Sequence, residues 1–215
     1  MSLELIRGLC YIAASILFVL GLKMLSSQAT ARKGNLVSSV GMLIAIVTTL
    51  TAMTEIKWAW IIAGVGIGSA VGALTAQLVK MTSMPQMVSL FNGFGGLASL
   101  LVGWSEFHGK WASAGAIRPF TMLAIFLTVL AGAVTFTGSL VAYGKLSGAI
   151  SGRPMLYKGR NIVNTGLLTV IVALGAFFCT QRTDQIDGAS LAGVYILLAG
   201  IITLALVLGV LTTIG

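Results

Sequence analysis

Residues 120–143 read FTMLAIFLTVLAGAVTFTGSLVAY, a run without one charged side chain. An α-helix rises about 1.5 Å per residue, so roughly 20 apolar residues cross a hydrocarbon core about 30 Å thick, and this run is long enough to do so. Working outward from it, six more runs of the same kind lie at 5–25, 36–53, 58–79, 84–105, 162–180 and 190–214. The 215-residue chain is 57% hydrophobic and only 8% charged, whereas soluble domains carry about 25% charged residues. With a mean hydropathy of +1.03, it is predicted to be an all-α, polytopic transmembrane helix bundle of about seven spans, one membrane domain over residues 1–215. The first run begins near Met1 in the manner of a signal peptide. Glu4 and Arg7 make a weak n-region, however, and no small-residue cleavage site precedes Lys23, so a retained helix is expected.

The loops between the runs are short, which makes their basic residues a guide to orientation. One side holds Lys23, Arg32, Lys33, Lys80, Lys145, Arg153, Lys158 and Arg160. The other holds Arg7, Lys57, Lys110, Arg118 and Arg182 together with every acid in the chain, Glu4, Glu55, Glu106, Asp184 and Asp187. The imbalance predicts the N-terminus outside and the C-terminus inside. Trp58, Trp60, Trp104 and Trp111 then fall at the outer interface. The net charge of +8 is spread over these loops and forms no basic, aromatic-laced face, which argues against a nucleic-acid partner. A single His, with Cys10 and Cys179 far apart in apolar runs, offers no metal site. Thr82 and Ser83 are placed to cap the fourth helix before Pro85, and Pro119 to open the fifth.

Helices associate in lipid through small residues and interhelical hydrogen bonds, and several runs carry such a stripe. The fourth has Ser89, Asn92, Gly96, Ser99 and Gly103; the fifth has Thr128, Gly132, Thr135, Ser139 and Ala142. Alternating steps of three and four put each set on one helix face. The second run repeats the pattern with Ser38, Gly41, Ala45, Thr48 and Ala52, and the third has Gly64, Gly68 and Gly72 at small-xxx-small spacing. Packing alone accounts for most such rows. The third run's Gly64-Val65-Gly66-Ile67-Gly68 follows no strand and lacks a third fingerprint glycine, so it is not read as a nucleotide loop. Asn92 stands apart because an amide near mid-bilayer needs partners; it suits either an interhelical hydrogen bond or a place in a water-lined path. Ser139 suits the same seam, or a bond back to its own helix. No ionisable residue occurs at mid-depth in any run, and neither a catalytic triad nor a carboxylate pair is present. His108 falls beyond Trp104, where a solvated outer loop is expected.

Met81-Thr82-Ser83-Met84-Pro85, the Gly96-Leu97-Ala98 to Leu101-Val102-Gly103 stretch, and above all Gly132-Ala133-Val134-Thr135-Phe136-Thr137-Gly138-Ser139 running on to Gly144-Lys145-Leu146 resemble the beta subunit of proton-translocating nicotinamide nucleotide transhydrogenase. Arg32-Lys33-Gly34-Asn35 and Gly41-Met42 are similar as well. The resemblance implies a bacterial inner-membrane complex that couples hydride transfer between NAD(H) and NADP(H) to proton movement. NAD(H) and NADP(H) would be bound by other domains and none in this chain, with the NADP(H)-binding domain expected downstream of Gly215. Implied partners are the alpha-side membrane helices, the NAD(H)-binding domain, the NADP(H)-binding domain and the lipid bilayer, in a dimer of the whole complex. Ser139 matches the family's serine on the proton path, and Asn92 falls where well-known members have a protonatable histidine. Ser89 and Thr135 join them as candidate path residues. Two other readings of the polar stripes stay open, a small-solute secondary transporter and a structural membrane subunit. Copurifying nucleotide-binding subunits favour the first reading, solute uptake by the isolated chain the second, and turnover indifferent to Asn92 and Ser139 the third.

Overall fold

A computed structural model describes residues 2–53, 57–112, 117, 119–153, 159–181 and 188–215, without the side chains of 81, 110–112 and 188–191. Glu55, Arg118, Pro154, Lys158, Arg182, Asp184 and Asp187, on which part of the charge reading rests, lie outside the described residues, as do the side chains of Lys110 and Trp111. The described residues form seven helices and no strand: α1 Leu3–Leu25, α2 Ala31–Ala52, α3 Trp58–Leu78, α4 Met84–Ala112, α5 Pro119–Leu146, α6 Arg160–Thr180 and α7 Gly188–Ile214. All seven are long and apolar enough to cross a membrane. Pro119 opens α5 as expected. Thr82 and Ser83 lie in a single 3-10 turn, Met81–Ser83, and Ser83 directly precedes the first residue of α4.

The chain divides into two compact units, Met1–Thr75 and Ala76–Gly215. In the first, α1 and α2 pack along their length. Small residues seven apart make this possible, because a seven-residue step returns to nearly the same helix face. Gly21 on α1 meets Gly34 on α2 and Ala14 meets Gly41, and these four and Thr48 of α2 are buried. A Cβ on Gly34 would lie 2.8 Å from the Gly21 carbonyl oxygen, and one on Gly41 3.0 Å from that of Ala14. At the far end the Arg7 guanidinium donates to the Thr51 carbonyl, and the Tyr11 and Thr49 hydroxyls are 3.0 Å apart. Of the stripe expected on α2, Ser38 and Gly41 reach this interface, where Ser38 lies against Gly21, Thr48 is buried, and Ala52 is exposed. The glycine row on α3 corrects the sequence reading: Gly64, Gly68 and Gly72 have no atom of another element within 4 Å of a Cβ position, α3 buries no residue, and it packs on neither α1 nor α2.

In the second unit α5 packs against α4, α6 and α7. Its Met122, Ile125, Phe126, Val129 and Ala133 are buried in one cluster with Phe107 of α4, Ile171 and Phe178 of α6, and Leu198, Ile201 and Ala205 of α7. Gly175 of α6 makes room for the Phe126 ring, and Gly209 of α7 lies against Val134 and Thr137. The Thr137 hydroxyl donates across to the Leu206 carbonyl at 2.7 Å. Thr137→Val keeps the shape and removes this donor. Double-mutant cycles put such bonds at about 0.6 kcal/mol in a membrane, so a small drop in the thermal midpoint of the purified chain is expected. A drop as large as that of a buried glycine-to-leucine change would mean the bond does more than hold α5 to α7.

Helix α4 extends to Ala112, well past residue 105, where the apolar run ends. Hydropathy marks the hydrocarbon boundary, but a helix continues as long as its backbone bonds do. The last two turns carry Phe107, fully buried, which meets Phe178 at 5.5 Å and Tyr195 at 5.2 Å between ring centroids. Trp104 packs on Tyr195 at 5.8 Å. His108, expected in a solvated loop, is helical and stays exposed, with its Nδ1 2.8 Å from the Tyr195 hydroxyl. At the opposite end of the bundle the half-buried Lys145 donates through Nζ to the carbonyls of Thr213 and Ile214, at 2.6 and 2.9 Å. These are terminal carbonyls of α7, which have no intrahelical partner and present the negative end of the helix dipole.

Candidate functional site

Two glycines bring α4 and α5 into backbone contact. A Cβ on Gly132 would lie 2.6 Å from the Leu100 nitrogen and 2.7 Å from the Gly96 oxygen, and one on Gly96 would lie 2.7 Å from the Phe136 nitrogen. No side chain fits in such a gap, so the two helices meet there backbone to backbone. The row continues in both directions, with Gly103 against Val129 and Gly93 against the Ser139 Cβ at 3.2 Å. The alternating three- and four-residue step thus identifies the packing face of both helices, although on α4 it is Gly93, Gly96, Leu100 and Gly103 that enter the seam.

The polar groups lie at one end of this seam. The Asn92 amide donates from Nδ2 to the Ser139 hydroxyl oxygen at 2.8 Å, and the Ser89 hydroxyl donates to the Ser139 carbonyl at 2.8 Å. Ser139 is buried, at 8% exposure, so both its oxygens are held by α4. Asn92 is exposed on its other side, and its Oδ1 accepts no hydrogen bond from any described residue. Beside it opens a groove of about 380 Å³ lined by Asn92, Gly95, Gly96 and Ser99 of α4 and by Gly132 and Thr135 of α5, with Phe91 and Ala131 at its edge. Gly95, Gly96 and Gly132 leave backbone in its lining. Ser99 reaches this lining through its position only, since its hydroxyl bonds back to the Gly95 carbonyl at 3.1 Å. Thr128 likewise bonds back to Ala124.

Of the four residues singled out on the sequence, Ser89, Asn92 and Ser139 are brought into one hydrogen-bonded group, and Thr135 lines the adjoining groove without a bond to them. The Ser139 hydroxyl accepts across the helix pair, which answers the alternative that it bonds only to its own helix. No lining residue of the groove is ionisable. Among the described residues no group of His, Cys, Asp and Glu is placed to hold a metal. The site can therefore orient water by donating and accepting hydrogen bonds, but it does not itself change charge. Sequence reasoning passed over the His108–Tyr195 pair and the Lys145 tie, because each joins residues far apart in the chain, 87 and 68 positions for the closer contact.

Fold and site together define a multi-pass membrane protein whose central polar feature is an uncharged amide–hydroxyl group between two glycine-packed helices. The chain belongs to the NAD(P) transhydrogenase beta subunit family, which matches it over residues 7–215. It is 41% identical over 151 residues to NAD(P) transhydrogenase subunit beta of Rhodospirillum rubrum, covering 68% of this chain and 32% of that protein. A second sequence of the same name from a defined strain of Rhodospirillum rubrum matches to the same extent. The chain thus spans about a third of the length of the curated relatives it matches.

Proposed function

We propose that this chain is the proton-conducting membrane portion of a transhydrogenase that couples hydride transfer between NAD(H) and NADP(H) to proton translocation. The observation that carries the reading is the bond from Asn92 to Ser139 beside an open groove, a fixed amide and a fixed hydroxyl of the kind that can hold a water chain. Ser89 secures Ser139 through its carbonyl, and Thr135 extends the polar lining. Both nucleotides bind on other domains: NADP(H) on a soluble domain of the beta side, NAD(H) on the alpha side. Alpha-side membrane helices complete the bundle around the groove, and the whole complex is a dimer. The chain lies in the bacterial inner membrane with its N-terminus outside. On this orientation the Lys145 end faces the cytoplasm, where basic loops meet anionic headgroups.

Ser139→Ala tests the path. It removes the acceptor for the Asn92 amide and leaves the carbonyl that Ser89 uses. In the complete complex in proteoliposomes, proton-coupled turnover is expected to fall severalfold, while hydride exchange between nucleotides on the soluble domains is unchanged. Equal loss in both assays would mean that the variant disturbs assembly and not conduction, and no loss in either would remove Ser139 from the path.

A further inference from the structure

Helix α5 carries the candidate path on one face and is fastened to α7 on another, and the two faces are one residue apart. Ser139 faces α4, whereas at Gly138 a Cβ would lie 2.9 Å from the Thr213 hydroxyl of α7. The fastening ends at Lys145, whose Nζ takes the Thr213 and Ile214 carbonyls at 2.6 and 2.9 Å. A protonated amine on two carbonyls at a helix C-terminus combines charge-assisted hydrogen bonding with a favourable dipole. Lys145 lies six residues beyond Ser139, about 9 Å along the helix by its rise per residue. The next residue is tied as well: Gln86, in the first turn of α4, donates to the Leu146 carbonyl at 3.0 Å. The inner end of α5 is thus pinned on both sides, to the start of α4 and to the end of α7. Above these pins α4 and α5 meet backbone to backbone at Gly96 and Gly132, and α7 reaches α4 at the other end through Tyr195 against Trp104 and Phe107, so sliding α5 along its axis displaces Ser139 relative to Asn92.

We propose that Lys145 is a positioning residue: by fixing the axial register of α5 against the end of α7, it sets the height of the Ser139 hydroxyl relative to the Asn92 amide. The inference rests on the reading of Asn92 and Ser139 as the proton path. It assigns Lys145 no proton of its own to carry. A misplacement of about 1 Å at a reacting group costs up to about a hundredfold in rate, and a register slip of a fraction of a residue is of that size.

The test uses the complete complex in proteoliposomes. Lys145→Met keeps the length and removes the charge and all donors; Lys145→Arg keeps both. Proton-coupled kcat is expected to fall about tenfold in Lys145→Met, with the KM for both nucleotides and the hydride exchange on the soluble domains unchanged. Lys145→Arg is expected to keep at least half of the coupled rate. A second arm replaces Gly138 and Thr213 with Cys, in a background where Cys10 and Cys179 are Ser. The short approach at this pair suits a disulfide, which holds the register without the lysine. Oxidation is expected to restore coupled turnover to Lys145→Met, and reduction to remove it again. A disulfide that forms in Lys145→Met without restoring turnover overturns the proposal, since it means the ammonium itself acts. Coupled turnover at the wild-type rate in Lys145→Met overturns it as well. Ser139→Ala run beside these variants separates the two ideas. If Ser139→Ala is impaired and Lys145→Met is not, the positioning role alone fails. If Ser139→Ala pumps normally, the path reading fails and the positioning role with it.

Discussion

Asn92→Leu is expected to lower proton-coupled turnover at least about tenfold, a change of ~1.4 kcal/mol in the barrier, while hydride exchange between nucleotides on the soluble domains stays intact. Leucine has the same number and branching of side-chain heavy atoms as asparagine, and the position is exposed, so the substitution is accepted without disturbing the seam. What is lost is polar: the donor to Ser139, and the Oδ1 that is open to the groove. A water held there needs two to four polar partners, and Leu leaves the bare backbone, Thr135 and a serine hydroxyl free to turn back to its own helix. Asparagine cannot be the group that binds and releases the proton, because an amide does not titrate in the useful range. An imidazole, with an unperturbed pKa of about 6.5, does. Every groove-lining residue of this chain is uncharged, so the protonatable His, Asp or Glu is expected on a partner helix laid over the groove, with Asn92 orienting it or the water beside it. Asn92→His is then expected to restore part of the coupling when that partner group is removed. Proton pumping at the wild-type rate in Asn92→Leu, or an assembled complex with no ionisable side chain within one or two waters of Asn92, would sink the idea.

Gly132→Leu is expected to have the largest effect on stability. The position is buried, and a first side-chain carbon there meets the Leu100 nitrogen at 2.6 Å and the Gly96 oxygen at 2.7 Å, which are backbone atoms of α4 that no rotamer change can move. Overpacking of a close-packed interior costs about 1–3 kcal/mol where side chains can yield. Here the whole helix must move and the Asn92–Ser139 bond is pulled apart with it, so the cost lies at or above the top of that range. Loss of monodisperse protein after detergent extraction is the expected outcome, with Gly132→Ala intermediate. Gly64→Leu is the internal contrast. No atom of another element lies within 4 Å of its Cβ position, and the isolated chain is expected to melt as the wild type does. Equal damage from both substitutions would mean that the glycines act through helix propensity and not through packing.

The seven spans were legible because hydrocarbon thickness imposes a length that hydropathy counts directly, and errors gathered where that logic stops. Helix α4 continues to Ala112 through Glu106 and His108 because polar residues at a membrane surface do not end a helix. The α4–α5 seam was legible too, since Gly96 and Gly132 belong to three- and four-residue rows on both helices. Which glycine row finds a partner was not. Gly64, Gly68 and Gly72 have the better-known spacing yet meet no described residue of their own unit, whereas α1 and α2 pack through residues seven apart, Ala14 and Gly21 against Gly41 and Gly34. That heptad spacing was the available signal, spread over two helices. Lys145 was read as a loop charge for orientation, and only the meeting of α5 with the end of α7 reveals its carbonyl partners.

The aromatic knot at the far end of the second unit also makes this protein its own optical reporter. Trp58 and Trp60 are more than half exposed, at 55% and 77%, whereas Trp104 lies 5.8 Å from the Tyr195 ring. At that separation energy absorbed by the tyrosine passes to the indole, so emission excited through Tyr195 is governed by whether α4 and α7 are together. With Trp58, Trp60 and Trp111, and Tyr11, Tyr143 and Tyr157, changed to Phe, the tyrosine-sensitised part of the remaining emission follows the joining of those two helices without any attached dye, during folding in micelles or turnover in a bilayer.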